Sequence, residues 1–140
     1  MKKKVIGYTS GVFDMFHAGH LNILKEAKLN CDYLIVGVST DELVELYKHK
    51  STIIPFEERL DIVSAIKYVD IAIPQVNMNK VAIWNHYKFN KMFVGEDWKG
   101  SEAWNEYEKQ FAPLGVEIVY IKRKYEITSS VLRNKIINLN

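Results

Sequence analysis

The run Tyr33-Leu34-Ile35-Val36-Gly37-Val38 is nearly all apolar, and an extended segment of that kind needs cover on both faces. It has no polar side to offer to water, so it asks for a central strand with helices above and below. Shorter apolar runs recur at Val5–Tyr8, Ile71–Ile73, Met92–Val94 and Val116–Ile121. Amphipathic stretches lie between them at 20–29, 56–68, 79–87 and 102–111, and a last one spans 129–138. Apolar runs alternating with helices predict an α/β fold: an open, doubly wound parallel sheet of about five strands, Rossmann-like in outline, with helices on both faces. No internal repeat, low-complexity tract or linker interrupts the pattern, so residues 1–140 read as a single domain.

Open sheets of this type collect ligands at the carboxyl ends of their strands, near a topological switch point. One such end carries Gly11-Val12-Phe13-Asp14-Met15-Phe16-His17-Ala18-Gly19-His20, followed by Leu21, Ile23, Leu24 and Ala27 at helical spacing. A helix N-terminus presents unpaired N–H groups and the positive end of its dipole, which suits phosphate. The spacing His-x-Gly-His allows His17 and His20 to flank one anion, and Gly19 lets backbone approach without a Cβ in the way. A His pair is also often a metal pair or a satisfied polar cluster. Metal is the weaker reading here, because this spacing brings no third ligand and no Cys is near.

Two further segments fall at the same sheet edge. Thr128, Ser129 and Ser130 are good N-cap residues, with Val131, Leu132, Ile136 and Ile137 expected as a buried stripe behind them. A capped terminal helix explains those hydroxyls but not Arg123-Lys124 upstream. A phosphate-binding helix N-terminus beside Arg123 explains both, since a guanidinium grips two phosphate oxygens at once. Val94-Gly95-Glu96-Asp97-Trp98-Lys99-Gly100 reads either as a solvated acidic turn anchored by Trp98 or as a nucleotide contact. In the second case Asp97 accepts from an amino or hydroxyl group and Trp98 packs on it.

Together these motifs resemble the cytidylyltransferase branch of the HxGH nucleotidyltransferase superfamily, and within it the glycerol-3-phosphate cytidylyltransferases. The likeness runs from about Val5 to Ile136, with His-x-Gly-His, Gly-Glu-Asp-Trp-x-Gly and Arg-x-x-x-Ile-Thr-Ser-Ser in order. It implies transfer of CMP from CTP to a small phosphorylated alcohol, with Mg²⁺ accompanying the CTP, in a homodimer paired near His-x-Gly-His. By resemblance, His17, His20, Lys48 and Arg123 carry the catalysis, with no metal ligands among the side chains. Gly11, Val12, Phe13, Asp14, Gly19, Gly95, Asp97, Trp98, Ile127, Thr128, Ser129 and Ser130 surround the nucleotide. Asp14 would order its loop or sit near the metal.

Lys50, Arg59, Lys67 and Met78 fall to the acceptor. Lys48 and Lys50 sit in a polar stretch, Tyr47 to Thr52, that reads as a mobile basic loop before Pro55. Arg59 also reads as a helix-surface ion pair with an acid such as Glu58. The family pattern is altered at Val12, Lys67, Met78 and Glu126, where it has threonine, usually arginine, tryptophan and glycine. Met78 for tryptophan opens room near the acceptor, so phosphocholine, phosphoethanolamine and other polyol phosphates stand beside glycerol 3-phosphate. An adenylyltransferase of the same superfamily and an inactive nucleotide-binding subunit are the competing classes.

The bulk numbers narrow the rest. The hydrophobic fraction of 48% and charged fraction of 26% are ordinary for a globular protein. A net charge of +2 does not call for nucleic acid, and no recognised nucleic-acid module is present. Cys31 is alone, which fits a reducing, cytoplasmic setting. Lys2 to Lys4 precede only a short apolar run, so neither a signal peptide nor a membrane partner is expected.

Overall fold

A computed structural model describes residues 3–125 and 128–139. The chain runs β1 (Ile6–Gly11), α1 (Ala18–Leu29), β2 (Tyr33–Ser39), α2 (Asp41–Lys48), α3 (Phe56–Ser64), β3 (Ile71–Gln75) and α4 (Lys80–Tyr87). It continues through β4 (Lys91–Gly95), a short 3₁₀ turn at Glu96–Trp98, α5 (Glu102–Phe111), β5 (Glu117–Ile121) and α6 (Ser129–Asn138). All strand pairings are parallel and the spatial order is β3-β2-β1-β4-β5. The chain therefore reverses its winding between β1 and β4, which is the switch point of a doubly wound sheet.

Both faces of the sheet are covered, as the apolar β2 run requires. Leu34, Val36 and Val38 point to one side, against Leu24 and Ala27 of α1 and Val63 of α3. Tyr8, Ile35, Ile73 and Met92 point to the other, against Trp104 and Phe111 of α5, with Trp84 and Tyr87 of α4 at its margin. Gly37 allows close approach inside β2: a Cβ there would run into the Tyr8 hydroxyl, which donates to Gln75 Oε1 at 2.9 Å.

The β1–β2 ladder extends from Ile6↔Tyr33 to Gly11↔Val38, whereas β1 and β4 pair only at Gly7↔Lys91 and Tyr8↔Met92. Beyond that point the two strands part, and a crevice opens at their carboxyl ends. Polar residues hid the length of β1: its last three, Thr9-Ser10-Gly11, lie past the apolar run that predicts a strand only to Tyr8. Thr9 is accommodated because its hydroxyl donates to the Phe93 carbonyl at 2.9 Å.

Other boundaries move for local reasons. Residues 41–48 form α2, capped by the Thr40 hydroxyl with Asp41 and Glu42 in its first turn, so Lys48 ends a helix and does not sit in a mobile loop. His49 follows in the left-handed region at φ 55° and turns the chain toward Lys50. Helix α3 stops at Ser64, four residues short of the expected span; Ile66, Tyr68 and Val69 reach the core from tight turns. Strand β3 takes in Pro74, tolerated because β3 is an edge strand. The stripe expected on α6 is not buried: Val131, Ile136 and Ile137 are exposed. That helix is tied down by polar contacts from Ser129 and Arg133 to Asp14.

Candidate active site

The β1–α1 turn is built to hold two imidazoles. Phe13 and Met15 both adopt positive φ (56° and 50°), conformations that cost a non-glycine residue free energy and recur where function fixes a loop. His17 is the N-cap of α1, and its Nδ1 accepts the Gly19 N–H at 3.0 Å. His20 answers by accepting the His17 N–H on its own Nδ1 at 3.2 Å. With Nδ1 an acceptor in both rings, each neutral imidazole carries its proton on Nε2. The rings lie face to face, centroids 3.8 Å apart, and the edge of Phe13 packs on His20.

Burial keeps both rings neutral. It lowers the His17 pKa, and it lowers that of His20 to about 3, helped by His17 and opposed by Asp14. His17 Nε2 is buried with no hydrogen-bond partner among the described residues, an uncommitted donor at the second recess described below.

Asp14 organises the wall opposite. Its carboxylate accepts the N–H groups of Ile53 and Ile54 at 2.8 and 2.9 Å and an Arg133 guanidinium at 3.0 Å. Its carbonyl accepts the Ser129 hydroxyl at 2.6 Å. One buried residue thus fixes the segment after Lys50 and the start of α6 against the His-bearing turn. A recess of about 260 Å³ results, lined among others by Gly11, Val12, Phe13, Asp14, His20, Lys48, Lys50, Gly95, Trp98, Ser129 and Ser130. The Phe13 ring itself belongs to the core beneath His20, so this residue supports the site through its backbone turn. Burial lowers the Lys48 pKa, as do Lys50 and Arg133, while Asp14 raises it. Four cationic and imidazole groups, Lys48, Lys50, Arg133 and His20, thus converge with the α6 N-terminus on one small volume.

A second recess of about 280 Å³ adjoins the first through His20, Gly95, Trp98 and Ser129. His17, Gly19, Asp97, Arg123 and Thr128 line it. Arg123 and Asp97 form an ion pair with each other, both well exposed. A pair in water is held by about 1 kcal/mol at most, so either partner is readily exchanged for a ligand group. The Thr128 hydroxyl caps α6 by accepting from Val131 N–H at 3.1 Å. Ile127 and Glu126 lie outside the described residues.

Two acceptor assignments move. Arg59 is 1% exposed and every nitrogen of its guanidinium is engaged. It donates to the carbonyls of Ile54 (2.8 Å), Val12 (2.6 Å) and Ser39 (2.8 Å), and pairs with Asp41 at 2.7 Å. It is neither a surface partner of Glu58 nor a substrate ligand; it holds the ends of β1 and β2 together. Lys67 is exposed beyond the end of α3, its ammonium 5.2 Å from the Tyr68 ring, and lines none of these recesses. Met78 is brought in. It lines a third recess of about 260 Å³, which opens off the first beside Val12, Lys48 and Trp98.

The sequence reading missed Arg133 and Lys80. Arg133 stands four residues after Ser129, so helical spacing places it on the same face, and that signal was available. Lys80 gave no such signal, because nothing in its neighbours marks a lysine that folds inward.

The Cytidylyltransferase-like family profile matches residues 8–135. The glycerol-3-phosphate cytidylyltransferase of Bacillus subtilis (strain 168) is 36% identical over 139 residues, covering 98% of this chain and 99% of its own. That of Staphylococcus aureus (strain NCTC 8325 / PS 47) is 32% identical over 135 residues, with 96% and 95% covered. Among solved structures, the lipopolysaccharide core biosynthesis protein from Thermoplasma volcanium GSS1 superposes with a TM-score of 0.73 at 28% identity. It covers 89% of this chain and all of its own. The chain belongs to the cytidylyltransferase-like family. It is a nucleotidyltransferase of the cytidylyltransferase type.

Proposed function

We propose that this enzyme transfers CMP from CTP to glycerol 3-phosphate, forming CDP-glycerol and releasing pyrophosphate. One observation carries the reading: His17 and His20 are locked as Nε2–H donors at the start of α1, where His20 shares one recess with Lys48, Lys50 and the N-terminus of α6 and His17 lines the adjoining recess with Arg123. Such a site meets a triphosphate from several sides with donors that need no reorganisation. The names of the full-length relatives supply the acceptor.

A phosphate monoester is already nucleophilic at neutral pH, so no protein nucleophile is needed. One of its oxygens attacks the α-phosphorus, the bond to the β-phosphate oxygen breaks, and its electron pair leaves with pyrophosphate. His17 and His20 donate to the α-phosphate oxygens as they gain charge, and Lys48 and Lys50 steady the two reacting phosphates. Arg123 with Thr128, Ser129, Ser130 and the α6 N-terminus holds the departing pyrophosphate. Asp97 and Trp98 take the cytidine. Asp14 has both carboxylate oxygens engaged, so Mg²⁺ belongs to the MgCTP substrate, held by triphosphate oxygens and water.

We assign the enzyme to the cytoplasm as a single-domain homodimer paired near the His17–His20 turn. Its CDP-glycerol would feed a bacterial surface polymer such as teichoic acid or capsule. No helix among the described residues is long and apolar enough to cross a membrane. The test is pyrophosphate release with Mg²⁺, crossing CTP and ATP against a panel of small phosphomonoesters. Release with CTP and glycerol 3-phosphate is expected; turnover with ATP alone would overturn the reading.

A further inference from the structure

Two large aromatic side chains line the second recess and belong to neither packed core of the sheet: Trp98, 54% exposed, and Tyr125, 41% exposed. The transfer chemistry gives Trp98 to the cytidine and leaves Tyr125 without a task. Trp98 ends the 3₁₀ turn after β4, Tyr125 follows β5, and those two strands are neighbours in the sheet. The rings therefore rise from two different walls of one recess. These walls stand within reach of each other, because the Arg123–Asp97 ion pair spans them. The Lys124 ammonium lies 5.5 Å from the Tyr125 ring centroid, a cation–π contact that occupies one face of the ring at most. A single exposed tyrosine signals nothing by itself. One that shares a recess with a second exposed aromatic, a free-standing arginine pair and a helix N-terminus belongs to the kind of surface on which nucleobases stack.

We propose that Tyr125 binds the nucleobase: its ring stacks on the base opposite Trp98, while Arg123 and the α6 N-terminus hold the phosphates. This rests on the reading of the second recess as the nucleotide's, and it separates what binds a base from what chooses one. Every base has a π face, so stacking on Tyr125 adds affinity for CTP and ATP alike. The choice between them falls to polar groups that meet the edge of the base, Asp97 among them.

The experiment measures calorimetric binding of CTP, ATP and inorganic tripolyphosphate, each with Mg²⁺, to the wild type, Tyr125→Ala and Tyr125→Phe. The KM for CTP and kcat are measured alongside. Tripolyphosphate carries the phosphates and no base, so it reports on Arg123 and the α6 N-terminus alone. Tyr125→Ala should weaken CTP about five- to a hundredfold and ATP in the same proportion, and should leave tripolyphosphate within about twofold. It should raise the KM for CTP with little change in kcat, as loss of uniform binding does. Tyr125→Phe keeps the ring and should bind CTP as the wild type does. Unchanged CTP binding in folded Tyr125→Ala overturns the proposal. So does equal weakening of tripolyphosphate, which would make Tyr125 a support for the segment around Arg123. A wild type that binds neither nucleotide overturns it together with the reading it rests on. Absent turnover with every acceptor, while nucleotide binding still follows the ring, removes the transfer reaction and upholds the role of Tyr125.

Discussion

His17 and His20 cap the same helix turn reciprocally, each Nδ1 accepting a backbone N–H, with their rings stacked 3.8 Å apart. The motif is therefore structural and functional at once: the bonds that start α1 also fix which nitrogen of each ring keeps its proton. An alanine at either position confuses the two roles, but asparagine at 17 separates them. Asn is a good N-cap and lacks the outward Nε2–H. His17→Asn should unfold within about 0.5 kcal/mol of wild type while turnover falls on the order of a hundredfold or more. Thermal unfolding beside kcat checks it; activity and stability lost in step would make His17 a cap only.

Stability should fall in acid through His20. Its folded pKa is about 3, well under the ordinary 6.5, because burial and His17 disfavour the imidazolium. Between those values the unfolded chain binds a proton that the native state refuses, so stability rises with pH across that window and is flat above it. A single group gives a slope of up to about 1.4 kcal/mol per pH unit. Urea unfolding at pH 5 and pH 7 should show the wild type losing stability at pH 5, and His20→Gln losing less.

Arg59 and Lys67 should behave as opposites, although both sit where the resembling family places acceptor residues. Arg59 is buried among three carbonyls and Asp41, so Arg59→Ala takes a donor from each of the four and should cost about 3–5 kcal/mol. Arg59→Lys should recover little, since an ammonium cannot span the planar fork. Lys67→Ala should change stability by no more than about 0.5 kcal/mol and leave acceptor KM alone. Chemical denaturation and acceptor saturation curves check both.

The contrast between those residues shows where sequence was legible. Periodicity located every strand and most helices, because a two-sided sheet must declare itself in apolar runs and α5 and α6 carry clean caps. His17, His20 and Ser129 stood out because each belongs to a helix start whose local chemistry marks it, whereas Asp97 was singled out only by the family resemblance. Arg59 and Lys80 were not, because a helix pattern reports which face a residue is on and not how deep a long side chain reaches. Helix α2, only eight residues long, was missed because its apolar residues are interleaved with charges and only Leu43 and Val44 are buried, while Leu46 and Tyr47 face outward.

Arg123 should matter to the nucleotide and hardly at all to the fold. Its ion partner among the described residues, Asp97, is as exposed as it is, so Arg123→Ala should shift stability by less than about 1 kcal/mol. If the guanidinium grips the departing phosphates, kcat/KM for CTP should fall about tenfold or more. A KM for CTP and a kcat both within twofold of wild type would remove Arg123 from the site.

Gly37 offers a test of how the sheet packs beneath the third recess. A Cβ at this position meets the Tyr8 hydroxyl, whose hydrogen bond to Gln75 joins β1 to the end of β3 behind Met78 and Lys80. Gly37→Ala should therefore cost about 1–3 kcal/mol through overpacking. Tyr8→Phe removes the clashing oxygen but leaves Gln75 Oε1 without its donor, at about 1 kcal/mol. In the double variant the two losses should not add, because the space vacated by the hydroxyl admits the methyl. A double-mutant cycle by urea unfolding measures the coupling. Strict additivity would mean that β2 shifts away from Tyr8 and that this contact does not decide the residue at position 37.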